Sequence, residues 1–136
     1  MNLDLDSDSL RRAYLRTEYI TYKPSFSIRV GRTHPGLDEF LSSKGVYSWV
    51  FLTAWNPGSI LLTLEENKIR NSELIRELGN FESIEGEGKA EDWKEESFLV
   101  FGIDLRNALE LAKKFGQNAI VFGTYAKPAE LVFVSK

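Results

Sequence analysis

Cysteine is absent from the 136-residue chain, and histidine occurs once, at His34. Disulfides, thiolate nucleophiles and Cys-ligated zinc are thereby excluded, and His34 has no second imidazole at metal-ligand spacing. No metal site is expected, and the sequence names no cofactor. An excess of positive charge is also missing: 17 Lys and Arg against 20 Asp and Glu leave a net charge of -3. Neither a nucleic acid polymer nor an anionic membrane surface is therefore an expected partner. No apolar run approaches the roughly 20 residues that span a bilayer. Asp4, Asp6 and Asp8 stand where a secretory leader would carry basic residues, so a soluble cytoplasmic protein is expected.

What the chain does have is apolar mass, 43% hydrophobic residues with 12% aromatics. At this length that fills one sizeable core, so 1–136 is read as a single domain with residues 1–7 disordered. Asp8 suits the N-cap of a short helix carrying Leu10, Tyr14 and Thr17. Tyr19 to Tyr22 and Phe26 to Val30 flank Lys23-Pro24-Ser25 as a hairpin. Pro35 fits a first helical turn with Leu37, Phe40 and Leu41 inward and Gly45 as the C-terminal cap; His34 is the entry residue.

From Val46 the order of elements is informative. Val46 to Ala54 reads as a buried strand, Thr63 to Leu78 as a helix, Phe81 to Glu85 as a short strand and Ser97 to Ile103 as a long apolar strand. Asp104 caps a helix with Leu105, Ala108, Leu109, Ala112 and Phe115 on one face, ended by Gly116. Ala119 to Gly123 and Glu130 to Val134 are strands joined around Lys127-Pro128. The expected class is α+β. Residues 46–123 spell β-α-β-β-α-β, a ferredoxin-like split βαβ core, with an N-terminal α-β-β-α extension and a C-terminal hairpin strand. Its two central strands are expected to carry helices on one face.

That topology gathers three connections, residues 55–62, 86–96 and 116–118, at one end of the sheet. Trp55 ends an apolar strand beside Asn56-Pro57-Gly58-Ser59, which has the residues of a tight turn. Trp55 itself is read as a rim-packing residue or a pocket wall. Thr63 and Glu66 match a capping box. At about 100° per residue, Asn67 and Asn71 share the inward face of that helix with Leu74 and Leu78. A buried amide needs partners, so Asn67 is expected to tie down the 55–62 loop, to meet a polar ligand, or both. Arg70 is read as a surface partner of Glu66 or Glu73, or as positive charge for the site. Gln117 and Asn118 are adjacent amides after a cap glycine, able to donate and accept without imposing charge.

Gly86-Glu87-Gly88 is too acidic for a phosphate cradle. Glu85, Glu87, Glu91, Asp92, Glu95 and Glu96 read as a solvated acidic loop rather than a metal site, with Trp93 folded back onto the protein to seal the core edge or cover a pocket.

Thr53-Ala54-Trp55-Asn56-Pro57-Gly58-Ser59, the following Glu65-Glu66-Asn67, the Gly86-Glu87-Gly88 segment with Trp93, and Phe115-Gly116-Gln117-Asn118-Ala119 resemble an uncharacterised bacterial family, domain of unknown function 3293. The likeness runs from Tyr14-Leu15-Arg16-Thr17-Glu18-Tyr19 to Ala129-Glu130-Leu131-Val132. It implies one domain and marks Thr53 to Pro57, Glu66, Asn67 and Phe115 to Ala119, but implies no reaction.

Three functions are open. The first is a binding module for a small polar ligand, a nucleotide or other metabolite, at the loop end of the sheet, with Trp55, Asn56, Ser59, Asn67, Trp93, Gln117 and Asn118 as ligand-binding residues. The second is a carboxylate-dependent hydrolase or transferase with Glu66 or Glu87 as acid or base. The third is a protein-interaction module built on edge strands, although Lys127, Pro128 and Lys136 look like edge protection. Oligomeric state is not indicated.

Overall fold

The computed structural model describes residues 7–91 and 93–135. In chain order the elements are α1 (Ser7–Arg16), β1 (Glu18–Thr21), β2 (Ser27–Ile28), α2 (Pro35–Ser43), β3 (Ser48–Leu52), a short 3-10 turn (Pro57–Ser59), α3 (Leu64–Leu78), β4 (Ser83–Ala90), β5 (Trp93–Phe101), α4 (Leu105–Lys114), β6 (Ala119–Thr124) and β7 (Glu130–Phe133). The fold is mixed α+β. Its strands form one seven-stranded sheet in the order β2-β1-β4-β5-β3-β6-β7, and every pairing is antiparallel. Ser7 opens α1 instead of belonging to a disordered start; the remaining six residues of that start, Asp92 and Lys136 lie outside the described residues.

Strand alternation divides the core into two layers. Val50, Leu52, Phe98, Val100, Ile120 and Phe122 point one way and pack beneath Leu74 and Leu78 of α3 and Ala108 and Ala112 of α4. Trp49, Phe51, Leu99, Phe101 and Val121 point the other way and meet Leu37 and Leu41 of α2, with Tyr14 of α1 packed against them. The central strands are therefore covered on both faces, not on one as expected. The physical reason is their unbroken apolar run, which leaves no face that water would tolerate.

Local signals set the helix ends. Thr63 Oγ1 accepts the Glu66 N–H, and the Glu66 carboxylate accepts the Thr63 N–H, which closes the capping box at the start of α3. His34 Nδ1 accepts the Leu37 N–H and caps α2, and Asp104 caps α4 through the Asn107 N–H.

The largest departure from expectation is the segment read as an acidic loop. It is a long hairpin: β4 and β5 pair from Ser83↔Val100 out to Ala90↔Trp93, and β1 pairs with the outer half of β4, from Thr21↔Gly86 to Glu18↔Lys89. Gly86 and Gly88 disguise the strand, yet the ladder requires them. A Cβ on Gly86 would stand 2.2 Å from the Ile20 carbonyl oxygen, and one on Gly88 3.3 Å from the Tyr19 ring. No helix among the described residues is long and apolar enough to cross a membrane.

Candidate functional site

Beyond β3 the chain enters a strained turn. Asn56 has φ 44° and ψ 68°, and Ser59 has φ 64°, both in the left-handed region that non-glycine residues enter at a cost of about 1 kcal/mol or more. Such backbone persists only where its surroundings over-determine it, and here they do. Asn67 Oδ1 accepts the Asn56 N–H at 2.8 Å, and Asn67 Nδ2 donates to Asn56 Oδ1 at 2.8 Å. Asn56 Oδ1 also accepts the Leu62 N–H at 3.0 Å. Asn118 Nδ2 donates to Ser59 Oγ at 3.1 Å, and the Gly58 N–H donates to the Gly116 carbonyl at 2.6 Å.

Two further residues of α3 complete the clasp. Asn71 Oδ1 accepts the Ala54 N–H and its Nδ2 donates to the Glu96 carbonyl, both at 2.8 Å. Arg70 Nε donates to the Ala54 carbonyl at 2.7 Å, and its Nη2 donates to the Phe115 carbonyl at 2.5 Å. Arg70 is thus no surface partner of Glu66 or Glu73; it ties the end of β3 to the end of α4. The reason is position: Arg70 follows Asn67 by one turn, on the face of α3 that looks at the two loops.

These bonds dictate how the amides point. Backbone N–H groups need acceptors, so Asn67 must offer Oδ1 to Asn56 N–H and Asn56 must offer Oδ1 to Leu62 N–H. Asn56 Nδ2 is left to turn away from α3. It turns toward Glu95 on β5, whose carboxyl it engages.

Glu95 stands in the wall of a cavity of about 320 Å³ between α1, the strained turn and the sheet. Tyr19, Phe51 and Val121 form its apolar floor, Tyr14 of α1 and Trp93 give aromatic walls, and Asn56, Ser59 and Gln117 supply polar atoms. The Tyr19 and Phe51 rings meet edge to face, with centroids 5.2 Å apart. Glu95 faces Gly88 across the ladder, so no side chain opposite it fills the space. Burial pushes its carboxyl up to about 7, and the Asn56 interaction opposes part of that rise. Burial also holds the Tyr14 and Tyr19 hydroxyls well above the usual phenol value, with the Glu95 charge adding to both. Gln117 Nε2 donates to the Trp55 carbonyl at 3.2 Å and the Phe115 carbonyl at 3.3 Å. That fixes the amide and leaves Oε1 without a hydrogen bond to any described residue.

Of the ligand-binding residues expected from sequence, Asn56, Ser59, Trp93 and Gln117 line this one cavity. Asn67 and Asn118 do not; they stand behind it and hold Asn56 and Ser59. Trp55 is buried and reaches the site only through its carbonyl. Neither expected acid or base lines the cavity. Glu66 is exposed, and hydrogen bonds from Thr63 hold its carboxyl below the ordinary value. Glu87 lies on the opposite face of β4 from Gly88 and accepts the Tyr22 hydroxyl. In sequence Glu95 reads, with Glu85, Glu87, Glu91, Asp92 and Glu96, as part of a solvated acidic loop, although the alternation Trp93, Glu95, Ser97, Leu99, Phe101 places it on an apolar face.

The family model for a protein of unknown function, DUF3293, matches residues 52–120, roughly half of the chain. The chain belongs to the DUF3293 family. Searches of curated proteins and of solved structures returned no match. Within this DUF3293 chain the matched stretch runs from the end of β3 into β6. It contains Asn56, Glu95 and Gln117, while Tyr14 and Tyr19 belong to the N-terminal part outside it.

Proposed function

We propose that this DUF3293 chain binds a small polar metabolite in the cavity between α1 and the loop end of the sheet. The observation that carries this reading is a half-buried carboxyl, Glu95, sharing one cavity with the Asn56 and Gln117 amides and the rings of Tyr14, Tyr19 and Trp93. Taking a carboxylate out of water without a cation costs several kcal/mol, a cost that structure alone does not require and that a ligand can offset. The volume falls within the range of about 300–1,000 Å³ typical of small-molecule sites, and the mix of apolar walls with a few convergent polar groups is equally typical. Around the site we read β4-β5-β3-β6 with α3 and α4 as a ferredoxin-like split βαβ unit, supported by their strand order and antiparallel pairing.

A second reading, a hydrolase or transferase, draws on the same residue. A carboxyl titrating at about 7 suits proton transfer near neutral pH, so Glu95, not Glu66 or Glu87, is its acid or base. A thermal-shift screen against a metabolite and nucleotide library separates binding from none. It is repeated with Ala13→Trp, a substitution in α1 that fills the cavity. A compound that stabilises the native protein and not the filled variant supports the reading; a library without such a compound sinks it.

A further inference from the structure

Resting on that reading, we propose that the ligand is cationic, an amine or amidinium with a compact, largely apolar body, whose positive nitrogen sits against Glu95. Charge balance is the first support. Among the described residues no Lys or Arg pairs with Glu95, while other acids, Glu18, Glu77, Glu82, Glu96 and Glu110, each have a basic partner. Lys94 is the single basic residue in the lining. As the strand neighbour of Glu95 it points to the opposite face of the sheet, and it is exposed. The carboxylate therefore lacks a counter-charge that an incoming cation would supply.

The walls agree. Tyr14, Tyr19, Phe51 and Trp93 surround the same space, and aromatic rings attract cations. An anionic group would meet the reverse: a buried like charge, no basic side chain aimed inward, and backbone N–H groups of Gly86 and Gly88 held within the β4 ladders instead of forming a cradle. A phosphate-bearing nucleotide is thus the least suited of the polar metabolites.

The Asn56 geometry specifies the contact further. Its Oδ1 is committed to Leu62 and Asn67, so only Nδ2 addresses Glu95, leaving the rest of that carboxyl open to a ligand donor. Gln117 Oε1, an acceptor with no described partner, is a second docking point for an ammonium or amidinium N–H.

Binding of a permanently charged probe should strengthen as pH rises through the Glu95 transition at about 7. The other titratable groups facing Glu95 are the Tyr14 and Tyr19 hydroxyls, held neutral there, while the exposed Lys94 points to the opposite face of the sheet. Gly88 opposite has no side chain, and Asn56 and Ser59 of the turn do not titrate.

Calorimetric titration with three probes of one shape, benzamidinium, neutral benzamide and anionic benzoate, tests the charge. At about pH 8 benzamidinium should bind at least about tenfold more tightly than benzamide, benzoate more weakly than either, and affinity for benzamidinium should fall more than about fivefold at pH 5.5. Glu95→Gln should lower the benzamidinium affinity about tenfold and move that of benzamide by less than about threefold. A preference for benzamide or benzoate, an unchanged benzamidinium affinity in Glu95→Gln, or no binding of benzamidinium overturns the inference. Failure of the parent reading looks different: no compound of any charge in the library screen then distinguishes native protein from Ala13→Trp.

Discussion

Asn67 holds Asn56 by two hydrogen bonds of 2.8 Å, one to its backbone N–H and one to its side-chain oxygen, and so fixes a left-handed residue at the mouth of the cavity. Asn67 is buried, so a residue that cannot accept leaves the Asn56 N–H orphaned and the strained turn unsupported. Asn67→Leu should lower the unfolding free energy by about 2 kcal/mol, within the range of about 1–3 for an unpaired buried group. Urea denaturation measures it. A loss under half a kcal/mol would mean that the turn holds itself.

Arg70 serves two carbonyls at once, those of Ala54 and Phe115. A lysine ammonium lacks the planar fork that reaches both. Arg70→Lys should therefore destabilise almost as much as Arg70→Met, each by about 1–3 kcal/mol, as read by thermal melting. Rescue by lysine would show that charge, not bidentate geometry, matters here.

Gly116 has φ 69°, and a Cβ placed on it would lie 2.9 Å from Pro57 Cβ. Gly45 has nearly the same backbone, φ 70°, with open space around it. Gly45→Ala should cost about 1 kcal/mol for the backbone alone, and Gly116→Ala clearly more, because Pro57 and the Gly58 to Gly116 hydrogen bond must also shift. Equal losses in the two variants would remove the packing contribution.

Burial raises the Glu95 carboxyl from its ordinary 4.5 to about 7. The folded state then holds the Glu95 proton more tightly than the unfolded chain, so the contribution of this one group to stability is full below about pH 4.5 and is lost as pH rises to about 7. Glu95→Gln cannot ionise. Its stability should match that of the native protein near pH 4 and exceed it by roughly 1–3 kcal/mol at pH 8, the excess growing across that window. Paired denaturation curves at several pH values check this; an excess that shrinks with pH has the wrong sign.

Much of this was legible in sequence where the cause is local. Thr63 and Glu66 form their box within one turn, and helical arithmetic placed Asn67 and Asn71 inward because both face the sheet from α3. The order of elements along the chain from β3 to β6 followed from apolar runs alternating with amphipathic helices. What stayed hidden depends on distant chain. Gly86 and Gly88 read as loop residues, yet they admit β1, a segment some 65 residues earlier in sequence. Glu95 looked solvated because its neighbours Glu91 and Glu96 are charged. Only its pairing with Gly88, and the cover given by α1, make it a cavity residue. Arg70 looked like a surface cation because its two carbonyl partners arrive from separate loops.

The central claim is that a ligand sits over Glu95 in the α1-side cavity, and amide NMR of isotope-labelled protein tests it most directly. The titrant is the compound giving the largest thermal shift. Perturbed signals should gather on residues 13–19, 51–59, 88–97 and 117–121, with the Glu95 side-chain carboxyl resonance moving as the ligand binds. Perturbations gathered elsewhere, as around α2 and Tyr125, with the Glu95 carboxyl unmoved at saturation, would contradict the account.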